Sequence, residues 1–179
     1  MNNTASGVPA AAKSAAIGGT IESLKELVKD EARISRDIAL ERNIDALMAH
    51  RLSSTQLIPI VDVRTAQEYH FAGHVPASLN IPAFVWGEWK EHMRSFSLDE
   101  NPDFLQEYEN KFPDRDEPAI IMCRSGHRSV MAIMILVRAG YANLYHLWEG
   151  FEGLPVRDKD LLSGTRSIDG WKNRGLPYL

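Results

Sequence analysis

One short run of the chain, Cys123-Arg124-Ser125-Gly126-His127-Arg128-Ser129, brings together a thiol, two arginines, a histidine and two hydroxyls. Cys123 is the only cysteine in the chain. Before it, Pro118-Ala119-Ile120-Ile121-Met122 reads as a short buried strand. After it, residues Val130 to Val137 read as a helix too apolar for the surface. That helix ends at Arg138-Ala139-Gly140, where a glycine suits a helix C-terminus. The thiol therefore sits on a turn between a strand and the start of a helix. Backbone N–H groups at such a turn point at whatever the loop surrounds, and the helix dipole favours negative charge there. A thiolate in that place is stabilised by amides and cations together. The implied chemistry is that of an anion-cradling loop with a sulfur nucleophile at its base. A lone cysteine ending an apolar strand also serves simply as a small buried hydrophobe. Three cationic side chains beside it weigh against that reading.

The rest of the chain supplies a frame for such a loop. Ala32-Arg33-Ile34-Ser35 reads as a first short strand, and Ser35 as the cap of a helix running through Ile38, Leu40, Ile44, Leu47 and Met48. Leu57 to Val63 is a strongly apolar strand, Thr65 to about Phe71 a short helix, and Ala77 to Ile81 another strand. Between Pro82 and Pro118 lies a long excursion carrying Phe84, Trp86 and Trp89. Core packing is the preferred reading of these aromatics, with one wall of the site mouth as the second. Asn101-Pro102 marks a helix start, with Phe104, Leu105 and Tyr108 on its apolar face. Asn143 to Trp148 is a last strand, followed by the glycine-punctuated turn Glu149-Gly150-Phe151-Glu152-Gly153. Strands alternating with helices predict an α/β fold, a parallel sheet covered on both faces.

At 179 residues the chain fits one domain with an extension. Residues 1–31 form that extension: a mobile tail over 1–19, then an amphipathic helix from Thr20 to about Asp30 with Ile21, Leu24, Leu27 and Val28 on one face. That face is expected to pack on the domain, with self-association second. Composition is ordinary for a globular protein, 44% hydrophobic and 25% charged. A net charge of −4 offers no global basic field for nucleic acid. No apolar run reaches transmembrane length and no signal peptide is evident, so neither membrane nor nucleic acid is expected as a partner and a cytoplasmic location is the default. One cysteine excludes an internal disulfide framework and makes structural zinc unsuited. It also leaves no second cysteine in the chain to resolve a modified Cys123.

Three motifs carry a family resemblance. Cys123-Arg124-Ser125-Gly126-His127-Arg128 resembles the six-residue active-site loop of the rhodanese-like sulfurtransferases. Asp62-Val63-Arg64-Thr65-Ala66-Gln67-Glu68-Tyr69 is similar to their D-x-R-x-x-x-E-[YF] signature, and Gly73-His74-Val75-Pro76-Ala77-Ser78-Leu79-Asn80-Ile81-Pro82 to their G-H-I-P-G-A-x-N-I-P signature. The ending Gly170-Trp171-Lys172-Asn173-Arg174-Gly175-Leu176-Pro177-Tyr178 resembles that of single-domain bacterial members. The resemblance covers 32–179, read as a single rhodanese domain, and no internal repeat points to a tandem form. It implies a five-stranded parallel sheet flanked by helices, with the loop at the carboxyl end of a central strand.

The resemblance also implies a reaction. Cys123 would take the outer sulfur of thiosulfate, or of a persulfide donor, and pass it to a thiol or cyanide, with a protein sulfur acceptor as a further possible partner. Arg124 and Arg128 would hold the donor's oxygens, Ser125 and Ser129 would lie along the substrate loop, and Gly126 would allow its tight curvature. His127 is an unusual loop member, taken as substrate-binding. Asp62, Arg64 and Glu68 would brace the loop, and His74 would shape a turn. No cofactor or metal is called for. Related folds that act as phosphatases or arsenate reductases use Cys-x5-Arg, whereas four residues separate Cys123 from Arg128. A non-catalytic interaction module and a protein-to-protein sulfur relay are the other readings. The cationic loop favours thiosulfate over 3-mercaptopyruvate, whose users typically show C-G-S-G-[VT].

Overall fold

A computed structural model describes residues 42–156 and 163–179. The expected tail over 1–19, the helix over 20–30 and the strand at 32–35 lie outside the described residues. Strands β1 (Asn43–Ile44), β2 (Ile60–Asp62), β3 (Leu79–Asn80), β6 (Ala119–Met122) and β7 (Leu144–Leu147) form one sheet in the order β1-β7-β6-β2-β3. Every pairing in it is parallel, with Ile121 of β6 in register with Val61 on one side and His146 on the other. A second sheet of two strands, β4 (Phe84–Lys90) and β5 (Ser95–Glu100), is an antiparallel hairpin. The helices are α1 (Ala46–Thr55), α2 (Ala66–Phe71), α3 (Phe104–Lys111) and α4 (His127–Arg138).

Side chains on a strand alternate between faces, and β6 uses both. Ala119, Ile121 and Cys123 join the core formed with Phe104 and Tyr108 of α3 and Ala132, Ile133 and Leu136 of α4. Ile120 and Met122 face the opposite core, where Ala46 and Ala49 of α1, Phe151 and Trp171 pack. The α/β expectation of a five-stranded parallel sheet with helices on both faces therefore holds. Helix α4 ends as its sequence requires. Gly140 takes φ +96°, its N–H donates to the Val137 carbonyl at 3.0 Å, and the Tyr141 N–H reaches Leu136 at 3.0 Å.

Several boundaries differ from the sequence expectations, each for a local reason. Of the helix expected from Ser35 to Met48, the part before residue 42 lies outside the described residues; within them Ile44 is strand, and α1 starts after Asp45, whose carboxylate accepts the Met48 N–H at 2.7 Å. Leu57 turns through a positive φ of 56° and is almost fully exposed, so β2 begins only at Ile60. Ala77 likewise takes φ 62°, which shortens β3 to Leu79–Asn80. The excursion after Pro82 contains a hairpin that the sequence did not announce. Its base is tied to the main sheet, since Ala83 N–H donates to Val63 at 3.2 Å and Asn101 N–H to Ala83 at 3.0 Å.

The C-terminal segment is part of the body. Leu179 and His74 exchange backbone hydrogen bonds, each 2.9 Å. Trp171 is buried and donates its indole N–H to Pro177 at 2.8 Å. Glu149, with no exposed surface, accepts from the Gly170 N–H at 3.1 Å and from both Nε and Nη2 of Arg174. Removing one partner of a buried pair strands the other, and here the carboxylate is the deeper of the two. Arg174→Met should cost about 3–5 kcal/mol in urea denaturation, whereas Glu149→Gln should cost less, because Arg174 is one-third exposed and can rehydrate.

Candidate active site

The loops that follow β2 and β6 diverge, β2 leading to β3 on one side and β6 to β7 on the other. In open parallel sheets such a divergence leaves a crevice at the carboxyl ends of the strands. The Cys123 loop fills this position at the end of β6. Gly126 precedes α4 with φ +92°, a conformation that a side chain resists. A Cβ there would also lie 2.4 Å from the Trp148 carbonyl oxygen. On the other flank, a Cβ on Gly150 would lie 2.5 Å from the Ser125 nitrogen. The loop is thus wedged between backbones. It is also laced to the chain after β7: Phe151 N–H donates to the Cys123 carbonyl at 2.8 Å and Glu152 N–H to Arg124 at 2.9 Å.

Cys123 lies at the bottom, 1% exposed. Its Sγ accepts the Gly126 N–H at 3.2 Å, and the Ser129 hydroxyl is 3.5 Å away. Ser129 is fully buried, and its single hydroxyl proton can turn either to the sulfur or to the Gly126 carbonyl 2.7 Å away. Ser125 is half-buried, while His127 and Arg124 are exposed. Arg124 spends its Nε on Glu152 at 2.8 Å. Arg128 gives both terminal nitrogens to Glu68, at 2.5 and 2.6 Å, so its charge rather than a free fork is what it offers the loop. Burial alone would raise the Glu68 carboxyl, but Arg128 and the Thr65 donors outweigh it and hold Glu68 below its ordinary value.

Glu68 therefore braces the loop through Arg128, apart from the Asp62–Arg64 pair. It also closes a capping box with Thr65 at the start of α2. Asp62 and Arg64 are both fully buried and joined by a fork, Nε to Oδ1 at 2.9 Å and Nη2 to Oδ2 at 2.6 Å. Burial pushes the Asp62 carboxyl up, and the Arg64 guanidinium opposes the rise. Arg64 also donates to the Gly73 carbonyl at 2.8 Å, and its guanidinium carbon lies 4.1 Å from the centre of the Phe151 ring. Asn80 donates to the carbonyls of Asp62 and Arg64, both at 2.9 Å, locking the end of β2 to β3. His74 stacks on Tyr69, ring centres 4.0 Å apart, and serves its turn.

Sequence reasoning missed two neighbours of the loop. His146, buried on β7, places Nε2 2.9 Å from the Ser129 hydroxyl and 3.0 Å from the Gly126 carbonyl. Only the parallel register of β6 and β7 brings it there, and no local pattern encodes that register. Burial lowers its proton affinity, which favours the neutral ring. Arg166 adds a cation near the rim. Burial and then the Arg124 guanidinium lower its proton affinity, and it donates to the Gly153 carbonyl. The expected aromatic wall is divided: Phe84 is buried in the core, whereas Trp86 and Trp89, 42% and 49% exposed, line a hollow that reaches Glu68 and Arg124. A hollow of about 310 Å³ is lined by Glu68, Phe71, Trp86, Arg124 and Glu152. A larger one of about 420 Å³, beside His50, Val75 and Trp171, shares no residue with the loop.

The rhodanese-like domain family matches residues 45–154, so the chain belongs to that family. Rhodanese-like domain-containing protein 14 of Arabidopsis thaliana is 32% identical over 158 residues, covering 69% of this chain and 70% of that protein. Thiosulfate sulfurtransferase 16 of the same plant is 28% identical over 149 residues, 83% of this chain and 96% of that one. Among solved structures, Rv0390 from M. tuberculosis superposes with a TM-score of 0.58 at 28% identity, covering 76% of this chain and 96% of that chain. No helix of the described residues is long and apolar enough to cross a membrane.

The Glu68–Arg128 pair makes a pH signature. Glu68 binds its proton more weakly folded than unfolded, so its contribution is complete above the unfolded carboxyl value and is lost as pH falls through the lower folded one. The stability gap between wild type and Glu68→Gln should be constant near neutrality and shrink in acid, below the ordinary value of 4.5. Denaturant midpoints across pH would measure it.

Proposed function

We propose that the protein is a sulfurtransferase that moves sulfane sulfur from thiosulfate, or a persulfide donor, through a Cys123 persulfide to a thiol or cyanide. The observation that carries this reading is the Cys123 sulfur at the base of a six-residue loop, 3.2 Å from the Gly126 N–H, with Arg128 fixed beside it by Glu68. Membership of the family and the thiosulfate sulfurtransferase relative support it.

In the first half-reaction the Cys123 thiolate attacks the outer sulfur of thiosulfate. A sulfur–sulfur bond forms, the bond to the sulfonate sulfur breaks, and sulfite leaves with its electron pair. The Gly126 amide and the Ser129 hydroxyl stabilise the anionic sulfur, and the charge of Arg128 supports them. Arg124, exposed at the rim, binds the donor's oxygens, with Ser125 and His127 beside it. In the second half-reaction cyanide or a thiolate attacks the outer sulfur of the persulfide, and the Cys123 thiolate leaves. The two half-reactions never need both substrates at once, so the kinetics are ping-pong. Sulfur rather than phosphate suits this loop: it is one residue shorter than a Cys-x5-Arg loop, and its closing arginine is engaged by Glu68.

Intact-protein mass spectrometry tests the reading directly. After brief thiosulfate treatment the protein should gain one sulfur atom on Cys123 and lose it to cyanide. Cys123→Ser should fold and gain none; sulfur transfer by that variant would end the proposal. Ser129→Ala removes one donor to the charged sulfur and should slow loading by about tenfold or more.

A further inference from the structure

Thiosulfate and cyanide are small enough to reach Cys123 unaided, yet the surface that adjoins its loop at Arg124 is furnished for something larger. Cys123 is 1% exposed, so any bulkier sulfur carrier can send in only its sulfur and must rest its body outside. Two shallow hollows adjoin there, of about 310 and 360 Å³, and share Glu68, Trp86 and Arg124. The second runs along the hairpin past Trp89, Arg94 and Phe96.

The hairpin is built to present rings. Residues three apart on a regular strand point to opposite faces, which would separate Trp86 from Trp89. The β4–β5 pairing slips between these two positions. Such an irregularity re-aims side chains. Both indoles consequently meet Phe96: Trp86 stacks on it at 5.1 Å with an interplanar angle of 5°, and Trp89 meets it edge-on at 5.2 Å. All three remain 42–49% exposed. Large apolar groups clustered in water beside a nucleophile mark a binding surface rather than a core.

The charges there do not cancel. Glu68 is taken by Arg128 and Glu152 by Arg124. On the hairpin Lys90 pairs with Glu88, and Glu91 accepts from the Trp89 indole. Of the charged side chains that line the second hollow, Arg94 alone has no ion-pair partner among the described residues, while the Glu91 carboxylate on the Trp89 indole keeps its negative charge outside that lining.

We propose that Trp86, Trp89 and Phe96, with Arg94 and Arg124, form a subsite for the body of a sulfur-accepting thiol of defined class: small, flat or apolar, and carrying an anionic group. The inference rests on the sulfurtransferase reading and names its acceptor. The bound thiolate attacks the outer sulfur of the Cys123 persulfide. A sulfur–sulfur bond forms to the acceptor, the Cys123 bond to that sulfur breaks, and the electron pair returns to the Cys123 thiolate with no net oxidation.

The test uses the full chain, loaded with thiosulfate and freed of excess, then discharged by para-mercaptobenzoate, its neutral analogue para-mercaptobenzamide, or mercaptoethanol. Rates follow from the mass of the intact protein. Arg94→Gln should weaken use of the benzoate by about tenfold and leave the benzamide far less affected. Trp86→Ala should weaken use of both arenes relative to mercaptoethanol. Dividing each variant's rate by the wild-type rate removes the intrinsic reactivity of each thiol. Ratios equal across the thiols in both variants would overturn the subsite. Failure of the wild-type protein to load would instead remove the sulfurtransferase reading, and loading is read first on the same samples.

Discussion

A turn that aims the Gly126 amide at a buried sulfur needs more than that single bond to keep its shape. Here the restraint comes from outside, through the close approach of the chain after β7. Phe151 and Glu152 bond to the carbonyls of Cys123 and Arg124, and contact at that range is possible only because Gly150 and Gly126 lack side chains. Everything else about the site follows from this wedge. The parallel sheet delivers the two backbones side by side, and the glycines let them touch. The sulfur is left at the bottom of a rigid cup.

Buried charge performs a second kind of restraint. Glu68 with Arg128 and Glu149 with Arg174 each join segments that the core alone would leave loosely related, and Asp62 holds the neighbouring Arg64 that reaches across to Gly73. Such pairs add little net stability once desolvation is counted, but a broken one is costly. Their effect is positional. Arg64 ties the end of β2 to the turn at Gly73, Arg128 ties α4 to α2, and Arg174 ties the C-terminal segment to the chain after β7.

How much of this was legible depends on how local each signal is. The loop, α2 with its Thr65 cap, the buried strand β6 and the Gly140 terminus are written in contiguous residues, and the family motifs add their order. The five-stranded parallel fold follows from them. Strand ends were less legible, because Leu57 and Ala77 take positive φ values that their side chains do not advertise. The hairpin was missed because its aromatics read as core, and only a slipped register turns them toward the hollow that reaches Arg124. His146 was invisible for a different reason: its place beside Ser129 depends on which strand neighbours which, information held by the whole sheet rather than by any segment of it.

The hairpin has a consequence for how such a protein can change over generations. It forms its own two-stranded sheet and is fastened to the main one at its base, through Ala83 and Asn101. Neither the wedge of glycines nor the buried ion pairs pass through it. Beyond the buried Phe84, insertions, deletions and exchanges of rings in residues 85–99 can accumulate without disturbing the sulfur cup. The catalytic apparatus and the choice of clientele are thereby placed on separate mutational accounts, so one can drift toward new users while the other stays still.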